Sequence, residues 1–293
     1  MTELLGSIQP IFLENGVLLP DSADFDLGQT LECGQAFRWE KQPDGSFLGV
    51  AYQKVCQIAQ TGSGILLKGA TRADFEAVWQ DYFDLDRDYG ALKRELSAHP
   101  VFARAVAYAP GIRLLRQEPW EALCSFIISQ NNNIPRIKGI IARLCQLLGR
   151  PLTNGLYAFP DAQTLAGCTL AQLEPLRAGF RARYLLDAAQ KIACGQVDLQ
   201  SLHSLPMMQA QAALMQITGV GKKVAACTLL YGCGRLECFP VDVWIGRAMK
   251  QLLPEGLPDY AQQYAGIAQQ YLFHYARTCT GLFEPDAPAV KGC

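Results

Sequence analysis

The sequence predicts an α+β protein, mainly α, with strands at the N-terminus followed by helices. Three observations carry this expectation. Residues 1–70 alternate β-favouring segments with turn signals. From residue 71 to 277, apolar residues recur at helical spacing. A glycine hairpin with apolar flanks, Gly219-Val220-Gly221, then joins two of those helical segments. At 293 residues the chain is long for one compact unit, and a division into 1–105 and 106–293 is expected.

Taken in order, Thr30-Leu31-Glu32-Cys33, Ser46–Tyr52 and Gly64–Leu67 read as strands, with Pro43-Asp44-Gly45 as a turn. Thr71 is placed to cap a helix, and Asp74 to complete a capping box. Helices are expected over 119–130, 135–149, 161–176, 181–194, 206–216, 222–232, 243–253 and 258–277, separated by Gly and Pro clusters. The tail after Cys279 reads as irregular, and no internal repeat is present.

Composition narrows the class. The chain is 50% hydrophobic and 18% charged, as soluble globular proteins are. No apolar run reaches the length of a membrane span, and Met1–Leu5 lacks the basic and apolar regions of a signal peptide. The expectation is a monomer with no membrane partner, not secreted: cytoplasmic, or nuclear in a eukaryote. The eleven cysteines are odd in number and irregular in spacing, with no paired CxxC motif. Most sit in apolar runs, as Cys124, Cys145 and Cys194 do, so buried free thiols are expected and no metal held by side chains.

The net charge of −1 conceals a division: residues 101–293 hold 18 Lys+Arg against 12 Asp+Glu, whereas residues 1–100 hold 8 against 15. A basic back half suits a polyanion, although uneven surface charge without that role accounts for the count as well.

The chemistry concentrates in Ile217–Ala225 and in Asp242, nineteen residues after Lys223. Exposed amides at a glycine hairpin beside a helix start suit a DNA phosphate. Lys223 follows that hairpin. A helix N-terminus, the neighbouring Lys222 and partial burial all favour its neutral, nucleophilic amine. Such an amine can attack the anomeric carbon of a nucleoside, while Asp242 stabilises positive charge developing on the sugar. Taken singly, each residue has a plainer reading: a Lys after Gly-x-Gly binds phosphate, and an Asp after Pro-Val caps a helix. Together, in this order and spacing, they favour the enzyme.

Segment 217–247 resembles the helix-hairpin-helix signature of the DNA glycosylase superfamily. Gly34-Gln35-Ala36-Phe37-Arg38-Trp39, Ser125–Ile137 and Tyr264–Phe273 are similar to the 8-oxoguanine DNA glycosylase family in particular, and the likeness runs from about residue 10 to 277. The resemblance implies an N-terminal antiparallel β-lobe followed by two helical lobes with the active cleft between them. It implies a bifunctional glycosylase and abasic-site lyase with Lys223 as Schiff-base nucleophile and Asp242 as catalytic carboxylate. It implies that the Gly34 carbonyl accepts a hydrogen bond from N7–H of the oxidised base. Guanine has an acceptor there and would be repelled. Cys227 and Phe273 correspond to the two sides of a sandwich around the flipped base, and Gln269 to the reader of its Watson–Crick edge. On spacing alone, Cys227 and Phe273 read as helix core.

By the same resemblance, Asn131, Arg136 and Arg181 hold the cytosine opposite the lesion; the two arginines read equally well as phosphate contacts or exposed helix charges. Phe180 stands where relatives carry a Tyr wedge, and Trp244 where better-known members carry a phosphate-contacting His. Gly219 and Gly221 bring backbone to DNA. The partner implied is double-stranded DNA containing 8-oxoguanine opposite cytosine. No cofactor is implied beyond a monovalent cation at the hairpin carbonyls. Two alternatives remain: a superfamily relative that removes another damaged base such as an alkylated purine, and a non-catalytic hairpin module that binds DNA. Lys223 speaks against a purely water-using enzyme, and the four-cysteine iron–sulfur cluster of some relatives is absent.

Overall fold

Strands β1 (Ile11–Leu13), β2 (Gly16–Leu19), β3 (Trp39–Lys41), β4 (Phe47–Ala51), β5 (Lys54–Thr61) and β6 (Gly64–Lys68) form one antiparallel sheet in the order β1-β2-β6-β5-β4-β3. The computed structural model describes residues 8–20, 22–279 and 281–283. Period-two burial along β5 and β6 puts Cys56, Ile58, Ile65 and Leu67 on one face, with Ile58 paired to Leu67. That face meets Trp79, Tyr82 and Phe83, and Trp39 donates from Nε1 to the Tyr82 hydroxyl at 2.8 Å. The Pro43-Asp44-Gly45 turn is present: Gly45 has φ +81, and Asp44 accepts from the Ser46 N–H at 3.0 Å.

One expected strand is absent. Thr30 and Leu31 end the helix α1 (Leu27–Leu31), whose N-cap Asp26 accepts from the Gln29 N–H at 2.8 Å. The Thr30 hydroxyl donates to the Gly111 carbonyl at 2.9 Å and accepts from the Arg113 N–H at 3.1 Å. Cap and tertiary bonds override the strand propensity of this stretch.

The helical region runs α2 (Arg72–Asp74), a π-turn (Phe75–Trp79), α3 (Gln80–Tyr82), α4 (Tyr89–Leu96), α5 (Pro100–Tyr108), α6 (Pro119–Ser129) and α7 (Ile134–Leu148). It continues through α8 (Ala162–Ala166), α9 (Arg181–Ala193), α10 (Met207–Met215), α11 (Lys222–Cys227), α12 (Val243–Leu252) and α13 (Ala265–Thr278). Thr71 caps α2, accepting from the Asp74 N–H at 3.0 Å, but the box differs from the expected one. Asp74 accepts the Thr71 hydroxyl instead of its amide. The segment expected as one helix over 161–176 is broken into α8 and a 3₁₀ stretch (Ala171–Leu176) that contains Pro175. Segment 222–232 widens after α11 into a π-turn (Thr228–Gly232), and 258–277 opens with a 3₁₀ stretch (Asp259–Tyr264) after Pro258.

Two cores result. One joins the sheet to Trp79–Leu85 and Leu115; the other runs through the helices from Tyr89 to Cys279 and takes in Phe37. Leu114 and Leu115 belong to different cores, so the segment passing through them ties the lobes together. Within the helical core, α6 packs on α7, α9 and α11, while α13 packs on α5 and α12. No helix among the described residues is long and apolar enough to cross a membrane. Cys124 and Cys145 are buried free thiols, but Cys194 is exposed, because it sits at the end of α9 where the helix has left the core. Among the described residues, no group of His, Cys, Asp or Glu is placed to hold a metal ion.

Candidate active site

The hairpin is built by two buried residues and two glycines. Ile217 and Val220 enter the core, and Gly219 adopts φ +80. A Cβ at Gly219 would lie 2.3 Å from the Tyr184 ring, so only glycine allows that ring to lie on the turn. Gly221 is the extended N-cap of α11, with open space around it. The N–H groups of Gly221 and Lys222 have no partner among the described residues. Exposed amides at the start of a helix form an anion site.

Lys223 follows in the first turn of α11, half-buried, with its Nζ 5.1 Å from the centroid of the Phe126 ring. Cys227, one turn later, is buried and faces the same cavity as Lys223. Burial pushes its thiol pKa up, and the Lys223 charge partly opposes that. Asp242 caps α12, accepting from the Ile245 N–H at 2.8 Å. Gln269 on α13 is buried; its Nε2 donates to the Pro240 carbonyl at 3.1 Å, while its Oε1 has no partner. An orphaned buried acceptor calls for a reason. Phe273, one turn further, carries the Arg277 guanidinium 5.2 Å over its ring. Gly34 has φ +88, and a Cβ there would stand 3.6 Å from Phe273 and 3.0 Å from Arg277.

These six residues, from four distant stretches of sequence, line one small cavity together with Phe126, Tyr231 and Pro240. Its volume is about 40 Å³, room for a few water molecules. A larger apolar cleft of about 330 Å³ lies between Phe37 and Tyr157, but it contains none of the reactive groups. Chemistry, not size, locates the site.

Sequence reasoning missed the supports. Phe126 stacks on Tyr231 at 5.1 Å and 17°, forming the seat beneath Lys223. The Tyr231 hydroxyl donates to Gln270 Oε1 at 2.6 Å. Gln35 is fully buried and holds the Gly34 loop. Its Nε2 donates to the Thr30 and Arg113 carbonyls at 3.0 and 2.8 Å, and its Oε1 accepts from the Leu115 N–H at 2.9 Å. Both Gln35 and Phe126 lie inside motifs that the sequence singled out; for Gln35 the available signal was a polar side chain between Gly34 and Ala36.

The residues expected to face the opposite strand stand apart from the cavity. Asn131, at φ +47, is exposed on the turn between α6 and α7. Asn133 caps α7, accepting from the Arg136 N–H at 3.0 Å, and the Arg136 side chain is exposed. Arg181 lies beneath these residues. Its guanidinium is buried and makes four hydrogen bonds to the carbonyls of Gln130, Asn131 and Ala178, so it braces the Asn131 turn from beneath. Phe180 is 42% exposed, edge-on to Tyr184 at 5.6 Å, and Trp244 is 38% exposed in the first turn of α12.

Two family models match in succession: "8-oxoguanine DNA glycosylase, N-terminal domain" over residues 17–123, and "HhH-GPD superfamily base excision DNA repair protein" over residues 124–262. The N-glycosylase/DNA lyase of Saccharomyces cerevisiae is 30% identical over 264 residues, spanning 80% of this chain and 70% of its own. The chain belongs to the 8-oxoguanine DNA glycosylase/lyase family. This glycosylase is similar in structure to the Clostridium acetobutylicum 8-oxoguanine glycosylase/lyase in complex with double-stranded DNA containing cytosine opposite 8-oxoG. The identity is 36%, the TM-score 0.86, and the coverage 93% of this chain and 99% of the other. It is also similar to MBOgg1 in complex with a low-affinity DNA ligand, with 41% identity, a TM-score of 0.86 and coverage of 92% and 98%. The enzyme is a DNA N-glycosylase with abasic-site lyase activity, and a DNA repair protein whose partner is duplex DNA. A module that only binds DNA is thereby set aside.

Proposed function

We propose that this glycosylase excises 8-oxoguanine from duplex DNA, preferentially opposite cytosine, through a Schiff base on Lys223. The observation that carries the reading is the convergence of Gly34, Lys223, Cys227, Asp242, Gln269 and Phe273 on one cavity. Lys223 Nζ attacks C1′ of the lesion nucleotide; the N-glycosidic bond breaks and its electrons leave with the base, which takes up a proton. Asp242 stabilises the cationic sugar as that bond lengthens. Loss of a proton from the amine and opening of the sugar ring give the Schiff base. Removal of a C2′ proton then expels the 3′-phosphate by β-elimination.

Recognition of the base follows from the donors and acceptors in place. The Gly34 carbonyl accepts the N7–H that only the oxidised purine carries, and glycine lets that backbone come close. The orphaned Oε1 of Gln269 suits an N–H donor on the Watson–Crick edge. Cys227 and Phe273 flank the base. On the other strand, Asn131 and Arg136 supply donors to cytosine, and Phe180 enters the base step as a wedge. A monovalent cation at the hairpin fits a backbone that offers carbonyl oxygens and, at Gly219 to Lys223, no carboxylate.

The test is borohydride trapping on oligonucleotides that vary both the lesion and the opposite base. Efficient cross-linking to 8-oxoguanine opposite cytosine is expected. Trapping confined to alkylated purines, or equal on all lesions, overturns the lesion assignment.

A further inference from the structure

A second cavity, of about 310 Å³, lies beside the lesion pocket and is lined by Trp244, Arg247, Ala276, Arg277, Leu282 and Phe283, among others. It continues the pocket by one step along two helices. Asp242 caps α12, and Trp244 and Arg247 follow on that helix. Phe273 on α13 is followed four residues later by Arg277, a rise of about 6 Å.

Its two arginines are uncommitted. Neither Arg247 nor Arg277 forms an ion pair among the described residues. Their hydrogen bonds to protein are long: Arg247 to the Phe283 carbonyl and Arg277 to the Glu32 carbonyl, each at 3.4 Å. Both guanidiniums lie over aromatic rings, Arg247 over Phe283 at 4.3 Å and Arg277 over Phe273 at 5.2 Å. A guanidinium laid on a ring keeps its edge N–H groups free for a planar or tetrahedral anion. The exposed Trp244 contributes an indole N–H donor, and no acidic residue is among the lining residues.

We infer that Arg247 and Arg277 clamp a phosphodiester immediately flanking the lesion nucleotide, using this cavity as its seat. The inference rests on the proposed lesion pocket, since it is the flipped nucleotide that brings its own phosphate here. Once the base enters between Cys227 and Phe273, the nearest anionic group on the ligand is that phosphate, and these two arginines stand beyond the pocket wall without an ion pair among the described residues to hold them. Arg277 has a second consequence. It touches Phe273, the Gly34 position and the Glu32 carbonyl, so phosphate capture and support of the base-reading loop share one side chain. Both arginines are positioning residues; neither reaches the reacting carbon.

The experiment pairs protein variants with neutralised DNA. Binding and single-turnover excision are measured for the full-length wild type, Arg247→Gln, Arg277→Gln and the double variant. The duplexes carry an ordinary backbone or a methylphosphonate at the first phosphate 5′ or 3′ of 8-oxoguanine. One of the two methylphosphonates is expected to weaken wild-type binding roughly tenfold, and to change binding by the double variant little. The slope of log affinity against log salt should fall by about one when that phosphate or an arginine is lost. Equal losses in wild type and double variant at both positions overturn the clamp. Arg247 is exposed, so Arg247→Gln keeps the fold and tests the clamp should Arg277→Gln lower the unfolding midpoint. Borohydride trapping of the wild type on the unmodified 8-oxoguanine duplex separates the two readings. Trapping without coupling rejects the clamp alone, and absence of trapping rejects the lesion pocket.

Discussion

The proposed lesion pocket and the edge proposed to face the opposite strand are built on contrasting principles. In the pocket, Cys227 and Gln269 are buried, Lys223 and Phe273 half-buried, and Gly34 is held by the fully buried Gln35 amide. On the opposite-strand edge, Asn131, Arg136 and Phe180 stand in solvent on turns and helix starts. Only Arg181 is buried there, and it serves the backbone. The pocket groups are therefore gathered around one point before DNA arrives, whereas the edge is open to solvent and to contacts proposed to form with DNA. Pre-organised groups lose function abruptly when altered; exposed groups lose selectivity by degrees.

The largest expected effect tests the pocket at its nucleophile. Lys223→Gln should retain binding to lesion DNA and abolish borohydride trapping, because Gln keeps length and polarity but has no amine. Wild-type yield of cross-link from this variant moves the nucleophile elsewhere, with Lys222 next in line. Asp242→Asn should slow single-turnover excision by roughly a hundredfold or more, while lesion binding changes little. Asn caps a helix as well as Asp does, so the unfolding midpoint should hold. Parallel losses in rate and midpoint would make Asp242 a cap and nothing else.

Within the opposite-strand edge, the two arginines should part company. Arg181→Met removes four hydrogen bonds and takes their side-chain donor from the carbonyls of Gln130 and Asn131, at about 1–3 kcal/mol for each one left unsatisfied, while the Ala178 carbonyl keeps the Arg181 N–H. The unfolding midpoint should drop by several degrees, and excision should fall with every opposite base alike. Arg136→Met should leave the midpoint in place and flatten the preference for cytosine over adenine, roughly tenfold in the unaltered enzyme. Four duplexes differing only in the base opposite 8-oxoguanine measure it. Loss of the preference in Arg181→Met with no change in midpoint would restore Arg181 to base recognition.

The same contrast explains what could be read from the residues. Periodicity located the long helices because their buried faces repeat regularly, and the glycine hairpin with its Lys and Asp located the pocket. Thr30 was misread because its hydroxyl is satisfied by the distant Gly111 and Arg113, which no local pattern encodes. The π-turns at Phe75–Trp79 and Thr228–Gly232 are likewise tertiary adjustments within sequences that suit an α-helix. The bracing of the Asn131 turn by Arg181 was not legible because the Gln130 and Asn131 carbonyls it satisfies lie some fifty positions away. Gln35 and Phe126 lay within the motifs, yet their supporting role depends on geometry that spacing alone does not give.

The smallness of the lesion cavity has a consequence for inhibition. At about 40 Å³ it holds a few waters and not a purine, so a base enters only after the walls part. A ligand that must first select an open form binds with its intrinsic affinity reduced by the fraction of molecules already open. The free oxidised base has only its own contacts to set against that fraction. A nucleotide within DNA adds the hairpin amides and the opposite-strand contacts, whose binding energy can be spent on opening. The excised base should accordingly be a far weaker competitor than abasic DNA, and the enzyme should be held back by its nicked strand rather than by the base it has released.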